Sequence, residues 1–339
     1  MRRASIAFCA LFSCTLRINF VNMRKRNIPV VDLSKYVSGS DADRADFIAS
    51  LGKAFHEIGF VGVINHGITK DLVDRFYAES KGFFALPRDV KKNYEVKGLA
   101  GQRGFTSFGK EHAKQSDVAD LKEFFQIGQE EEPLDGYASQ TMDNIHVDEA
   151  PKFTATGMEL YKAFETSGGH LLRAIAEYLN LDEGYFSTYI KGGNSILRSI
   201  HYPPITKEPD SAIRAEQHED INLITLLVGA SAGGLQLLNM DDQWVDIVPE
   251  EDEIVINVGD MLQRLTNNYL KSTTHRVVNP PKEEWHKPRL SIPFFLHPVS
   301  EMDLTCLDRC VTEDQPKAFT DMTAGEYLDQ RLREIGLKK

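Results

Sequence analysis

The pattern of apolar and polar positions changes texture near residue 190. Before it, short apolar runs alternate with segments of helical spacing. Residues 28–33 (IPVVDL) read as a short strand, and Phe60–Ile64 (FVGVI) as a second one closed by Asn65-His66-Gly67. Between them, residues 41–58 place Phe47, Ile48, Leu51, Phe55 and Ile58 at three- and four-residue steps, the spacing of an amphipathic helix. Gly59 is positioned to end it. Thr69 can cap a second helix that carries Leu72, Phe76 and Phe83 on one side. That helix must stop near Leu86, because Pro87 disfavours helical geometry in the residue before it. Residues 98–119 are rich in glycine and charge and show no period, so they read as a long loop of the kind that often carries function. Residues 151–181 are helical, with Leu160, Phe164, Leu171, Leu172, Ile175, Ala176 and Leu179 as the apolar stripe and Gly168-Gly169 as a weak point in the middle.

From Ile196 onward, short β-rich runs follow at intervals of roughly 8–12 residues, as expected for a sandwich or barrel. They are ILRSIHY (196–202), INLITLLV (221–228), GLQLLN (234–239), WVDIV (244–248), EIVINV (253–258), THRVV (274–278) and RLSIPFFL (289–296). Thr323 and Glu326 then form a capping-box pattern that opens a final helix. No internal repeat is evident. The pattern predicts a mainly β fold with flanking helices, a β-sandwich or jelly roll, although 339 residues would also allow two domains. The expected division is an extension at 1–26, an α/β region at 27–190, a jelly-roll core at 191–310 and a helical segment at 311–339.

Composition narrows the function classes. Thirty-nine Lys and Arg against 50 Asp and Glu leave a formal charge of −11, which argues against a general nucleic-acid binder. Hydrophobic residues at 42% and charged residues at 26% are an ordinary globular balance, with ample material for a core. Four cysteines (Cys9, Cys14, Cys306, Cys310) without a C-x-x-C pair make neither a disulfide scaffold nor a Cys-rich zinc site. Residues 1–26 stand apart, with no acidic residue and with Arg2, Arg3, Arg17, Arg24, Lys25 and Arg26. Their largely apolar run of 13 residues (4–16) is too short to span a bilayer. It reads either as a secretory-type signal or as an upstream extension, with Met23 as a second initiator. No other stretch approaches the length of a membrane span.

Chemistry concentrates at two places. In His218-Glu219-Asp220, residues i and i+2 of a strand face the same way, so an imidazole and a carboxylate would meet at a common point. His275, within 274–278, is the candidate third ligand. Two His and one carboxylate on one face of a metal suit non-haem Fe(II) and oxygen chemistry, although H-x-D alone also fits an ordinary surface pair. The zinc-protease pattern H-E-x-x-H fails at Asn222. In Arg289-Leu290-Ser291 a guanidinium and a hydroxyl share a face. A buried Arg needs an anion: an internal carboxylate, or the carboxylate of a co-substrate beside an iron. Tyr202, before Pro203-Pro204, can add a hydroxyl to the same anion or be structural.

With these residues in place, the chain resembles the isopenicillin N synthase-like family of Fe(II)- and 2-oxoglutarate-dependent oxygenases over about residues 27–335. The motifs are IPVVDL at 28–33, GFVGVINHGI at 59–68, FFALP at 83–87 and Asp120-Leu121-Lys122-Glu123-Phe124-Phe125. They continue with HED at 218–220, GGLQ at 233–236, W-x-D-I-V-P at 244–249, NVGDMLQRLTNN at 257–268, STTHRVV at 272–278 and RLSIPFF at 289–295. The resemblance implies a distorted double-stranded β-helix (jelly roll) core with a helical N-terminal half. It implies His218, Asp220 and His275 as iron ligands, Arg289 and Ser291 as the pair binding the distal carboxylate of 2-oxoglutarate, and Tyr202 as its support. One departure is Ile200, where many members have an Asn beside the co-substrate.

The implied activity is oxidation of a small molecule with Fe(II), 2-oxoglutarate and O2, hydroxylating or desaturating it and releasing succinate and CO2. The implied partner is a small-molecule substrate, with no nucleic acid and no membrane span; oligomeric state is left open. A reducing cytoplasm suits a ferrous site. The loop residues Arg103, Phe105, Phe108 and Glu111, together with Phe295, are expected to cover or wall the substrate pocket, or else to be plain core. Two further readings stay open: an isopenicillin N synthase-type oxidase that does not use 2-oxoglutarate, and a non-catalytic metal-binding relative.

Overall fold

The computed structural model describes residues 27–99, 101–112, 118–137 and 142–338. The expected extension at 1–26, with Cys9 and Cys14, lies outside them. The strands are β1 (Val30–Asp32), β2 (Phe60–Ile64), β3 (Gly104–Thr106), β4 (Glu123–Gly128), β5 (Ile196–Tyr202), β6 (Ala215–His218), β7 (Ile224–Val228), β8 (Leu235–Leu238), β9 (Trp244–Asp246), β10 (Ile254–Val258), β11 (His275–Val277), β12 (Arg289–Ser291) and β13 (Pro293–Leu296). The helices are α1 (Leu33–Ser38), α2 (Asp41–Glu57), α3 (Lys70–Phe84), α4 (Arg88–Lys92), α5 (Pro151–Tyr178), α6 (Tyr185–Ile190), α7 (Asp260–Leu265) and α8 (Ala324–Glu334).

Among the described residues the strands form two sheets. The larger runs β1-β2-β10-β7-β13-β5-β4-β3, with β12 also paired to β5, and the smaller runs β6-β11-β8-β9. The N-terminal half therefore contributes four strands to the larger sheet. β12 and β13 continue one register against β5, since Ser291 pairs with Ile200 and Phe294 with Leu197. The run expected as one strand at 289–296 breaks at Ile292, because Pro293 has no N–H to give the ladder. Two short strands escaped the sequence pattern. β4 is buried along its whole length and so shows no alternation. β3 interrupts the expected loop at 98–119 and pairs with β4.

Two apolar layers flank the larger sheet. On one face, Phe125, Leu197, Leu226, Ile256 and Phe294 pack against the helices. There α5 is central: Phe164 stacks on Phe294 with ring centroids 5.3 Å apart, and Phe83, Phe153 and Phe76 form a second stack. On the other face, Phe60, Phe124, Ile200, Tyr202 and Val255 meet Leu235, Leu237 and Val277 of the smaller sheet. The second layer is the interior of the jelly roll.

The helix caps follow the sequence closely. Ser40 and Asp43 form a capping box on α2, Thr69 caps α3 by accepting from the Leu72 amide, and Thr323 and Glu326 box α8. Gly59 ends the α2 segment at φ +77°, where a Cβ would lie 2.2 Å from the Lys271 carbonyl oxygen. The Gly168-Gly169 pair does not break α5, and the two residues differ in cause. A Cβ on Gly168 would stand 2.3 Å from Leu296 Cδ1, so its absence lets α5 approach the sheet. Around Gly169 there is open space.

These surroundings separate two substitutions. Gly169→Ala should raise stability by up to ~1 kcal/mol through helix propensity alone. Gly168→Ala should lower it by about 1–3 kcal/mol through overpacking against Leu296. Urea unfolding of the two variants checks the difference in sign.

Candidate active site

His218 ends β6 and lies directly opposite His275 of β11 in the smaller sheet, with ring centroids 4.5 Å apart. Asp220 comes two residues later but is not on a strand, so strand alternation does not place it. A loop does: the Asp260 amide donates to the Asp220 carbonyl at 2.7 Å, and the Gly259 amide to Leu223 at 2.9 Å. Gly259 permits this contact, since a Cβ there would be 2.2 Å from the Asn222 carbonyl oxygen. This loop also delays β7, which starts at Ile224 and not at 221.

The Asp220 carboxylate is divided between two duties. Oδ2 accepts from Thr225 Oγ1 at 2.6 Å and from Asn257 Nδ2 at 2.8 Å. Oδ1 faces the imidazoles, 3.9 Å from His218 Nε2 and 3.8 Å from His275 Nε2. One ligand atom from each of the three residues lies within 4.8 Å of the others, a spacing that could hold a metal ion. Both histidines are oriented for it. Nδ1 of His218 is 2.6 Å from the Glu216 carbonyl, and Nδ1 of His275 is 3.1 Å from that of Thr273. A proton on Nδ1 leaves the Nε2 lone pair free. Burial pulls the Asp220 carboxyl upward, but the two imidazoles and the hydrogen bonds from Asn257 and Thr225 outweigh it and hold it below its ordinary value. Burial and the neighbouring His275 push His218 down. The lowered His218 favours a neutral imidazole, and the hydrogen bonds from Asn257 and Thr225 favour the Asp220 carboxylate, the forms in which they bind a metal.

A cavity of about 350 Å³ opens from this point. Every second residue from Arg289 to His297 lines it: Arg289, Ser291, Pro293, Phe295 and His297. So do Ile196, Arg198, Ile200 and Tyr202 of β5, which is the inner face of the larger sheet. Tyr202 pairs with Arg289 across the strands, and the guanidinium carbon lies 5.0 Å from its ring centroid. Arg289 is 2% exposed. Its Nε donates to the carbonyls of Ala232 and Gly233 at 3.0 and 3.1 Å, and its Nη1 is buried without a partner. A buried guanidinium with an unmet donor and no carboxylate bridge is a site for an anion. A dicarboxylate co-substrate fits these residues. Ile200, the departure from the common Asn, is also in the wall.

Three expected pocket residues lie elsewhere. Phe105 on β3 is paired with Phe125, and both face the helical core, where the Phe105 ring is 5.7 Å from that of Phe83. Arg103 is 2% exposed and fills the space over Gly128, where a Cβ would overlap its guanidinium. Phe108 is 43% exposed and does not line the cavity. The pairing of β3 with β4 turns this segment away from the site. Of the expected loop residues Glu111 does line the cavity, together with Gln102 and His112.

Two groups of wall residues were not foreseen. Lys122, from the D-x-K-E motif, sits 2.7 Å from Glu111 and 2.8 Å from Asp120. Arg198 lies 3.2 Å from Glu111 and donates to Gln126 Oε1 at 2.7 Å. Burial raises the Glu111 carboxyl, yet Arg198 and Lys122 hold it down at about 2. The second group is Leu328, Arg331 and Leu332 of α8 with Ile335 just after it, which close the cavity from a segment distant in sequence. Tyr327 anchors that helix by donating to Asp260 Oδ2 at 2.8 Å.

The hydrogen bonds on Asp220 carry a testable consequence. Asn257→Ala or Thr225→Ala should weaken Fe(II) binding by roughly 10–100-fold, because Oδ1 would no longer be held toward the two imidazoles. Competition with a metal-sensitive dye measures it.

Comparison with known proteins agrees with this geometry. Residues 28–149 match the model for the non-haem dioxygenase in morphine synthesis N-terminal region, and residues 193–298 that for the 2OG-Fe(II) oxygenase superfamily. A 2-oxoglutarate-dependent dioxygenase of Aspergillus rugulosus, htyE, is 30% identical over 330 residues, covering 90% of this chain and 98% of its own. A solved 2OG-Fe(II) oxygenase family protein from Caulobacter crescentus is 43% identical with a TM-score of 0.80, covering 91% of this chain and 99% of its own. A full-length Neurospora crassa protein, solved in complex with alpha-KG and thymine, is 31% identical with a TM-score of 0.78, covering 92% and 98%. These relatives support the 2-oxoglutarate-dependent reading, and none of them favours the oxidase or the non-catalytic alternative. The chain belongs to the 2OG-Fe(II) oxygenase superfamily, within its isopenicillin N synthase-like branch, and is a dioxygenase that uses Fe(II), 2-oxoglutarate and O2.

Proposed function

We propose that His218, Asp220 and His275 bind the Fe(II), that Arg289 and Ser291 take the distal carboxylate of 2-oxoglutarate, and that Tyr202 supports that pair. The observation that carries this reading is Arg289, a wall residue of the same cavity as the His-Asp-His set, whose buried Nη1 has no partner. When bound, the metal and 2-oxoglutarate supply the oxidising power that attacks an unactivated C–H bond of the substrate. The protein does the rest. Asp220 and the two imidazoles occupy one face of the site and leave the other open. The backbone carbonyls behind His218 and His275 hold the tautomers. The apolar wall, with Ile200, Leu235, Val277 and Phe295, keeps water from the reacting centre.

The substrate is a small molecule, in keeping with a cavity of about 350 Å³ that must also admit the co-substrate. Hydroxylation and desaturation both begin with the same C–H attack, so either outcome fits this wall. Cys306 and Cys310 are free buried thiols, and among the described residues no helix is long and apolar enough to cross a membrane. Free thiols and a ferrous site both suit a reducing compartment, and we place the enzyme in the cytoplasm.

The test is direct. Protein loaded with Fe(II) should form succinate from 2-oxoglutarate slowly without substrate, and chelation should stop it. His218→Ala should abolish iron binding and turnover. Arg289→Leu should raise the KM for 2-oxoglutarate by about 30-fold or more, the loss of roughly 2–5 kcal/mol expected for a desolvated ion pair. Unchanged 2-oxoglutarate affinity in Arg289→Leu would remove that residue from the co-substrate site.

A further inference from the structure

A second end of the cavity is built for something other than iron or 2-oxoglutarate. Along β5, Tyr202 and Arg198 are four residues apart, or ~13 Å at the usual strand rise. One small dicarboxylate cannot bridge Arg289 beside Tyr202 and the wall around Arg198. At that far end His297 follows β13 and faces the same way as Phe295 and Ser291. Its backbone is clamped: its amide donates to Ser195 Oγ at 3.1 Å, and the same hydroxyl donates to its carbonyl at 3.1 Å. Its ring is not clamped. Nδ1 is closed off inside the wall without a partner, so the edge that meets the cavity carries Nε2. His218 and His275 have their tautomers set by carbonyls. Nothing sets that of His297, so its Nε2 can donate or accept.

The charges around it are matched. Glu111 and Asp120 hold Lys122, and Glu111 also holds Arg198, two carboxylates against two cations. Within that cluster an entering carboxylate finds no cation without a counter-charge, and an entering ammonium no spare carboxylate. Either would lose hydration with little return. Phe295 adds a ring, with the Arg198 guanidinium carbon 5.1 Å from its centroid. Building on the cofactor site proposed above, we infer that His297 is a substrate-recognition residue and that the substrate is an uncharged small molecule presenting a hydrogen-bonding group, such as that of an amide or imide, to it beside Phe295.

Anaerobic calorimetry tests this in two stages. The first titrates 2-oxoglutarate into Fe(II)-loaded protein. Failure at this stage would sink the cofactor site, and this inference with it, before any probe is added. The second titrates hydantoin and glutarimide as uncharged imides, and benzoate and benzylamine as charged probes, into the Fe(II)–2-oxoglutarate protein. The imides should bind at least tenfold more tightly than the charged probes. His297→Leu should weaken imide binding tenfold or more while the Kd for 2-oxoglutarate stays within twofold, and His297→Gln should recover most of the loss. Tighter binding of a charged probe, no imide binding, or undiminished imide binding in a folded His297→Leu variant that still binds 2-oxoglutarate would overturn the inference.

Discussion

The site depends on the division of one carboxylate. Asp220 spends Oδ2 on Thr225 and Asn257 and keeps Oδ1 for the point where the two imidazoles converge. Neither duty is local. Thr225 stands on β7 and Asn257 on β10, neighbouring strands of the larger sheet, while His218 and His275 belong to the smaller one. The carboxylate therefore ties the two sheets of the jelly roll together at the candidate metal position. Its backbone is pinned in turn by the start of α7. The buried carboxylate is met by two hydrogen bonds on Oδ2, while Oδ1 is left for the point where a metal would bind.

The rest of the architecture gives that point stable surroundings. The larger sheet separates two layers with different tasks. Its helical side is filled with stacked aromatic rings and closely approached by α5, which makes it rigid. Its inner side carries alternating wall residues of β5, β12 and β13, which leave a cavity between the sheets. Two of the cations in that layer are held in a matched set. Lys122 is held by Glu111 and Asp120, and Arg198 by Glu111. Arg289 in the cavity wall is held instead by two carbonyls, with one donor to spare. That asymmetry marks where an anion is wanted.

Where sequence reading failed, the cause was orientation. Arg103 and Phe105 stand in a glycine-rich stretch that looks like a cover for the site. A three-residue strand pairs it with β4 and turns Phe105 toward the helices. Phe295 keeps its place because it follows Ser291 by an even number of residues on a register that continues past Pro293. The α8 wall had no signal beyond a capping box, which says where a helix starts and not what it covers.

The sequence by itself determined the local elements, the caps and the chemical inventory. Helical spacing, Ser40, Thr69 and Thr323 set the helices, because these depend on residues close in the chain, and an H-x-D, a further His and an R-x-S named the candidate site groups. Only the tertiary structure decided how Asp220 meets two imidazoles from a loop, which donor of Arg289 is left unmet, and that Glu111, Lys122, Arg198 and His297 share one wall. Those relations join residues up to 186 positions apart (111 to 297), and no local period encodes the pairing of strands that brings them together.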